Sequence, residues 1–181
     1  MLNNIEKYVN YLKSLGASDY THISGPMINH LIGTYNVLYS WDSSLLTCKA
    51  GLFHAIYGPQ GLPLPLLSLE KRGEIKEVIG ADVEELVYLY CACDKSFVLP
   101  QFKTTLDIQF RNRFTGEELP FNKRYIGSFC ELTVANELDV ARGKPIETYS
   151  VDIISMLKSM YIHINKNAQK DLDLIFANHH S

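Results

Sequence analysis

The chain has 181 residues and a net charge of -3, with 46% hydrophobic and 20% charged residues. That composition is ordinary globular material able to bury one core, and its slight acidity gives no global electrostatic case for nucleic acid. Lys and Asp interrupt every apolar run before the roughly 18 residues of a membrane span, so no membrane partner is expected. The first residues, with Asn3, Asn4, Glu6 and Lys7, lack a signal-peptide layout. The four cysteines, Cys48, Cys91, Cys93 and Cys130, form no CxxC pair, and Cys91 and Cys93 fall on different faces of an expected helix. Reduced thiols in a cytoplasmic protein are the expectation.

Ile5, Val9, Tyr11, Leu12 and Leu15 form a helical stripe that stops at Gly16, a residue suited to the position after a helix. A polar loop from Ala17 to Gly25 carries His22. From about Pro26 to Trp41 the apolar positions Met27, Leu31, Ile32, Tyr35, Leu38 and Tyr39 keep helical spacing, with Pro26 fitting the first turn. Asp42, Ser43 and Ser44 offer N-caps for a third helix, about Leu45 to Ile56, apolar nearly all round and so read as central and buried.

Gly58 to Leu67, with three prolines and two glycines, is a loop long enough to cover a site. A helix follows Ser68 and closes at Gly80, and Asp82 caps another that reaches about Cys93. Between Phe97 and Phe121 the pattern turns irregular around Thr115-Gly116, as a short hairpin or an ordered loop. Helices from Asn122 to about Arg142, Val151 to Ile164 and Ala168 to Asn178 complete the chain. The expectation is a single all-α domain over 1–181: a bundle of seven or eight helices with one irregular excursion.

Two histidines stand out within this framework. His54 lies in Ala50-Gly51-Leu52-Phe53-His54-Ala55-Ile56-Tyr57-Gly58, and His30 precedes it by twenty-four residues on another apolar helix. An imidazole in an apolar setting needs a partner for each ring nitrogen. Two such helices packed together present a pair of metal-capable nitrogens to one cavity, although a single histidine there is also read as a hydrogen-bonded core residue.

These residues resemble the HD superfamily of helical metal-dependent phosphohydrolases, in particular the hydrolase domain of the stringent-response ppGpp enzymes. In that superfamily a first-helix His is followed some two dozen residues later by a helix reading roughly A-x-L-x-H-D, and a later helix supplies the last ligand. Here His30 and His54 correspond to the first two ligands. Ile79-Gly80-Ala81-Asp82-Val83-Glu84-Glu85-Leu86-Val87 resembles the helix after the metal motif, and Val134-Ala135-Asn136-Glu137-Leu138-Asp139-Val140-Ala141-Arg142 the last-ligand helix. The resemblance covers residues 20 to about 142, leaving C-terminal helices at 148–180. It is closer to an HD-like family of bacteria and fungi with no assigned activity. Its members carry His-x-x-Gly, then His-Leu-Ile-Gly-Thr-Tyr, then Ala-Gly-Leu-Phe-His-x-Ile-Tyr-Gly, which this chain resembles in order with His22-Ile23-Ser24-Gly25, His30-Leu31-Ile32-Gly33-Thr34-Tyr35 and the His54 segment.

The resemblance implies a divalent metal (Fe, Mn or Zn), with His30, His54 and a carboxylate such as Asp139 as ligands. The chain departs from the pattern at Ala55 and Asn136, where the superfamily has aspartates. Both losses remove anionic ligands for hard cations. Asp139, three residues from Asn136 and on nearly the same helix face, and Asp94 are the compensating candidates, each also readable as a cap or a solvated charge. His22 is placed at the cavity mouth, Tyr57 as a proton donor or packing residue, and Arg72 and Arg113 as holders of a phosphorylated or carboxylated small molecule. His163, His179 and His180 lie beyond the matched region and are read as structural or tail residues.

Two functions follow. One is a small-molecule enzyme with an altered HD-type metal site, phosphohydrolase-like or, with iron, oxidative. The other is a catalytically silent HD-like module that binds a ligand or a partner protein. The sequence leaves substrate and oligomeric state open.

Overall fold

The computed structural model describes residues 5–22, 25–61, 65–141 and 150–178. Among the described residues there are nine α-helices: α1 (Glu6–Ser14), α2 (Met27–Ser40), α3 (Leu45–Phe53), α4 (Arg72–Ile79), α5 (Ala81–Ala92), α6 (Lys95–Val98), α7 (Lys123–Val140), α8 (Val151–Met160) and α9 (Lys166–Asn178). Two small antiparallel hairpins join them: β1 (Thr21–His22) with β2 (Gly25–Pro26), and β3 (Gln109–Arg111) with β4 (Glu118–Pro120). The fold is an all-α bundle. It has one helix beyond the expected seven or eight, because the four residues of α6 are too few to show a hydrophobic period.

Local chemistry sets the helix ends. Ser44 accepts a hydrogen bond from the Thr47 N–H at 3.1 Å at the start of α3, and Asn122 accepts from the Arg124 N–H at 3.1 Å at the start of α7. Ser150 likewise accepts from the Ile153 N–H at 3.2 Å before α8. Each cap satisfies a backbone donor that the helix cannot, which is worth about 1 kcal/mol. Gly80, with φ of 96°, separates α4 from α5. Asp82 therefore sits inside the first turn of α5, where it pairs with Arg124 at 2.6 Å instead of capping.

Helices α2, α3, α5 and α7 pack on one another and form the centre of the bundle. The central position expected for α3 is found: Thr47, Cys48, Ala50, Gly51, Leu52 and Phe53 are all buried. It ends three residues earlier than its apolar run, at Phe53, and the chain turns through His54–Tyr57. Phe53, Leu52, Tyr90 and Phe129 fill the core around it, each fully buried apolar side chain contributing roughly 1.5–3 kcal/mol.

The irregular excursion is a hairpin fastened to the end of α5. The Arg113 N–H donates to the Ala92 carbonyl at 2.8 Å, and Asn112 donates through Nδ2 to the Tyr88 hydroxyl at 2.8 Å. The C-terminal helices are tied back to the bundle by the Trp41 indole, which donates to Asp171 Oδ2 at 2.6 Å, and by Asn167, which donates to the Trp41 carbonyl at 3.1 Å. No helix among the described residues is long and apolar enough to cross a membrane.

Candidate functional site

His30 lies on α2, and His54 is the residue at which α3 ends. Both are buried, at 4% and 2% exposure. The last turn of a helix leaves carbonyl oxygens without partners. His54 Nδ1 donates to one of them, the Gly51 oxygen, at 2.7 Å. Since a carbonyl can only accept, the proton of this ring sits on Nδ1, and Nε2 of the neutral ring carries a lone pair.

His30 is fixed in the same sense from another helix. Its Nδ1 donates to Asp139 Oδ2 at 2.7 Å, and Asp139 on α7 is 7% exposed. His30 Nε2 is thereby turned inward, where it offers a lone pair when the ring is neutral and a proton when the ring is an imidazolium. The two Nε2 atoms lie 3.2 Å apart, and Asn136 Oδ1 lies 3.1 Å from that of His30. The amide orientation of Asn136 follows from its Nδ2, which donates to Glu137 Oε1 at 3.2 Å. Three polar atoms from α2, α7 and the end of α3 therefore converge, and with both rings neutral all three are acceptors.

Acceptors this close need a positive centre between them, either a proton on one imidazole or a metal cation. Nitrogens each about 2.0–2.1 Å from a common metal, at angles between 90° and tetrahedral, stand roughly 2.9–3.4 Å apart. The observed 3.2 Å falls in that range. Among the described residues no group of three His, Cys, Asp or Glu side chains is arranged to hold a metal. The third donor here is an amide oxygen, so the set is neutral.

The pair forms part of the wall of a cavity of about 180 Å³, together with Ala55, Gln60, Tyr90, Lys95 and Asn136. The Tyr90 ring meets His54 edge to face at 5.6 Å. The Tyr90 hydroxyl is buried with no hydrogen-bond partner among the described residues, and burial raises its pKa well above the usual phenol value.

The other residues anticipated from sequence lie elsewhere. Asp139 meets His30 on Nδ1, the ring nitrogen away from His54, so it orients that ring and stands outside the three-acceptor set. Asp94 caps α6, accepting from the Ser96 and Phe97 N–H groups at 3.1 and 3.3 Å, and it pairs with Arg111 at 3.5 Å. Tyr57 donates to Glu84 Oε1 at 3.0 Å, and burial followed by the Glu84 charge raises its pKa steeply. Arg72 grips the same fully buried Glu84 at 2.6 and 2.9 Å, pairs with Glu85 at 3.1 Å and stacks 3.5 Å from the Tyr88 ring. Arg113 donates to the Cys91 carbonyl at 2.8 Å and to that of Gly58. Both arginines therefore brace the wall between α4, α5 and the hairpin. His22 is placed by its backbone in β1 opposite Gly25, while its side chain lies outside the described residues, as do His179 and His180. His163, half-buried, meets the Phe102 ring at 5.3 Å and does not line the cavity.

The fold and site thus define an all-α bundle with a buried, oriented histidine pair at the floor of a small cavity. Over residues 11–95 the chain is similar to a family model described as a domain of unknown function (DUF6817). That stretch contains His30, His54, Tyr90 and Lys95, whereas Asn136 and Asp139 lie outside it. No curated protein matches the chain.

Proposed function

We propose that the protein is a small-molecule enzyme of the HD-like type, dependent on a divalent metal held by His30 Nε2, His54 Nε2 and Asn136 Oδ1. The observation that carries this reading is the convergence of three atoms able to ligate a metal, each oriented by a hydrogen bond on its far side. Such outer partners are what fix the tautomer and basicity of metal-ligating imidazoles. Asp139 does this for His30, and the Gly51 carbonyl does it for His54. The donor set fits a nitrogen-preferring cation such as Zn²⁺ or Fe²⁺ better than Mg²⁺ or Mn²⁺, because no carboxylate of the set neutralises the ion.

When bound, the metal would supply Lewis acidity to polarise a substrate oxygen and lower the pKa of a water. The protein's part is to hold its donors rigidly and to keep the cavity small. Ala55, in the place of a superfamily aspartate, leaves room beside the pair without adding charge. Hydrolysis of a small substrate is the reaction that this arrangement favours.

A second reading has its own support. The two carboxylates of the HD pattern are replaced at Ala55 and Asn136, which favours a silent ligand-binding module. Reconstitution with Zn²⁺, Fe²⁺ and Mn²⁺, followed by turnover assays on small phosphate monoesters, separates the two. Metal-dependent hydrolysis that disappears in His54→Ala supports the enzyme. Turnover with iron and oxygen alone turns the reaction class to oxidative. Failure of every metal to bind leaves the module.

A further inference from the structure

The floor of the cavity presents acceptors, but its wall presents donors. Lys95, the first residue of α6, lines the cavity beside the histidines, with Nζ 5.1 Å from the centre of the Tyr90 ring. No carboxylate among the described residues forms an ion pair with it. The adjacent Asp94 is held by Ser96, Phe97 and Arg111. Gln60, also on the wall, accepts from the Lys95 backbone N–H through Oε1 at 2.7 Å. Its amide is thereby oriented, and Nε2 is left as a donor. The buried, unpartnered hydroxyl belongs to Tyr90, a third residue of the same wall. A buried hydroxyl without a partner carries a desolvation cost that a ligand meeting it relieves.

We infer that Lys95 and Gln60 form an oxyanion-binding wall that selects substrates carrying a single small phosphoryl or carboxylate group, presented to the histidine floor. The inference rests on the metal-site reading for its catalytic meaning, but the wall itself needs only Lys95, Gln60 and Tyr90. The cavity volume of about 180 Å³ bounds the ligand. It equals the share of about six waters in the liquid and lies below the 300–1,000 Å³ common for drug-sized ligands. The enclosed part of the substrate is therefore an anionic head group and a few atoms beyond it. Arg72 and Arg113 do not serve here, since carboxylates and carbonyls already hold them.

The test is calorimetric titration of the as-purified full chain with inorganic phosphate and, separately, acetate, with metal content measured on the same samples. Lys95→Met is expected to weaken phosphate or acetate binding about tenfold or more, with metal content unchanged, and Lys95→Arg to restore most of it. Gln60→Ala is expected to weaken binding less. Equal affinity in wild type and Lys95→Met, or no binding of either anion by wild type at millimolar concentration, overturns the inference while leaving the metal reading intact. Folded protein that takes up no metal on reconstitution yet still binds an anion through Lys95 sinks the metal reading and sustains the oxyanion wall.

Discussion

Asp139 reaches His30 only because residue 33 has no side chain. A Cβ built at Gly33 would lie 1.9 Å from Asp139 Oδ1 and 2.5 Å from its Cγ. Gly33 lies three residues after His30 on α2, on nearly the same face, so the glycine opens the slot through which the α7 carboxylate passes. Gly33→Ala is expected to push Asp139 off the His30 ring and to lower metal affinity 10–100-fold, the usual cost of losing an outer partner. Competitive titration against a metal indicator checks this. Unchanged affinity would mean that Asp139 does not matter to the site. Asp139→Asn, which can accept the same hydrogen bond without the charge, should fall between wild type and Gly33→Ala.

Restoring the missing charge tests the role of Asn136. Asn136→Asp places an anion 3.1 Å from His30 Nε2 if the backbone is unchanged. Mn²⁺ affinity should rise about tenfold or more relative to Zn²⁺, since harder cations gain most from an anionic oxygen. A variant with the same metal ranking as wild type would remove Asn136 from the ligand set.

The Glu84 network should behave as structure. Glu84 is 0% exposed and is held by Arg72 and by the Tyr57 hydroxyl. Glu84→Ala leaves Tyr57 buried without its acceptor and Arg72 without its main counter-charge. Because Arg72 is itself a quarter exposed, a loss of about 2–4 kcal/mol is expected, read as a lower denaturant midpoint. Metal content at temperatures where the variant is folded should match wild type. A selective loss of metal would instead place this network within the site.

The thiols give a pH dependence with a definite sign. Burial pushes Cys48 up to about 11 and Cys91 and Cys93 up to about 12, and raises Cys130 further. Unfolded thiols lose their protons near 8.5, so above that pH the unfolded state binds fewer protons than the native state. The stability contributed by keeping these thiols protonated is complete below about pH 8.5 and is lost as pH rises towards 11–12. Denaturant midpoints should therefore fall steadily from pH 9 to 11, and iodoacetamide at pH 8 should label the four cysteines only in denaturant. Rapid labelling of native protein would contradict the buried, protonated thiols.

The helices were legible because their apolar positions repeat at 3.6 residues and because Ser44, Gly80 and Asn122 mark their ends. The two-residue strands at Thr21–His22 and Gly25–Pro26 leave no alternation to read, and α6 is a single turn. At the site, the spacing of His30 and His54 pointed to two packed helices, and the structure brings their Nε2 atoms together. The i, i+3 relation of Asn136 and Asp139 put both on one face, but spacing alone does not tell which nitrogen of His30 each would meet. Arg72 and Arg113 drew attention as cations near the cavity segments. Their counter-charge and carbonyl partners come from Glu84, Cys91 and Gly58, a tertiary fact outside the local pattern. Lys95 carries no such signal in the local pattern. It follows the capping Asp94 in sequence, and only the packed structure shows that the cap is engaged elsewhere.

The most direct test of the metal centre is mass-spectrometric metal content of untagged protein purified without chelator, beside the His30→Ala/His54→Ala double variant. The account predicts near-stoichiometric metal in wild type and its loss in the folded double variant. No metal in wild type, and none taken up on reconstitution of the folded protein, would contradict it.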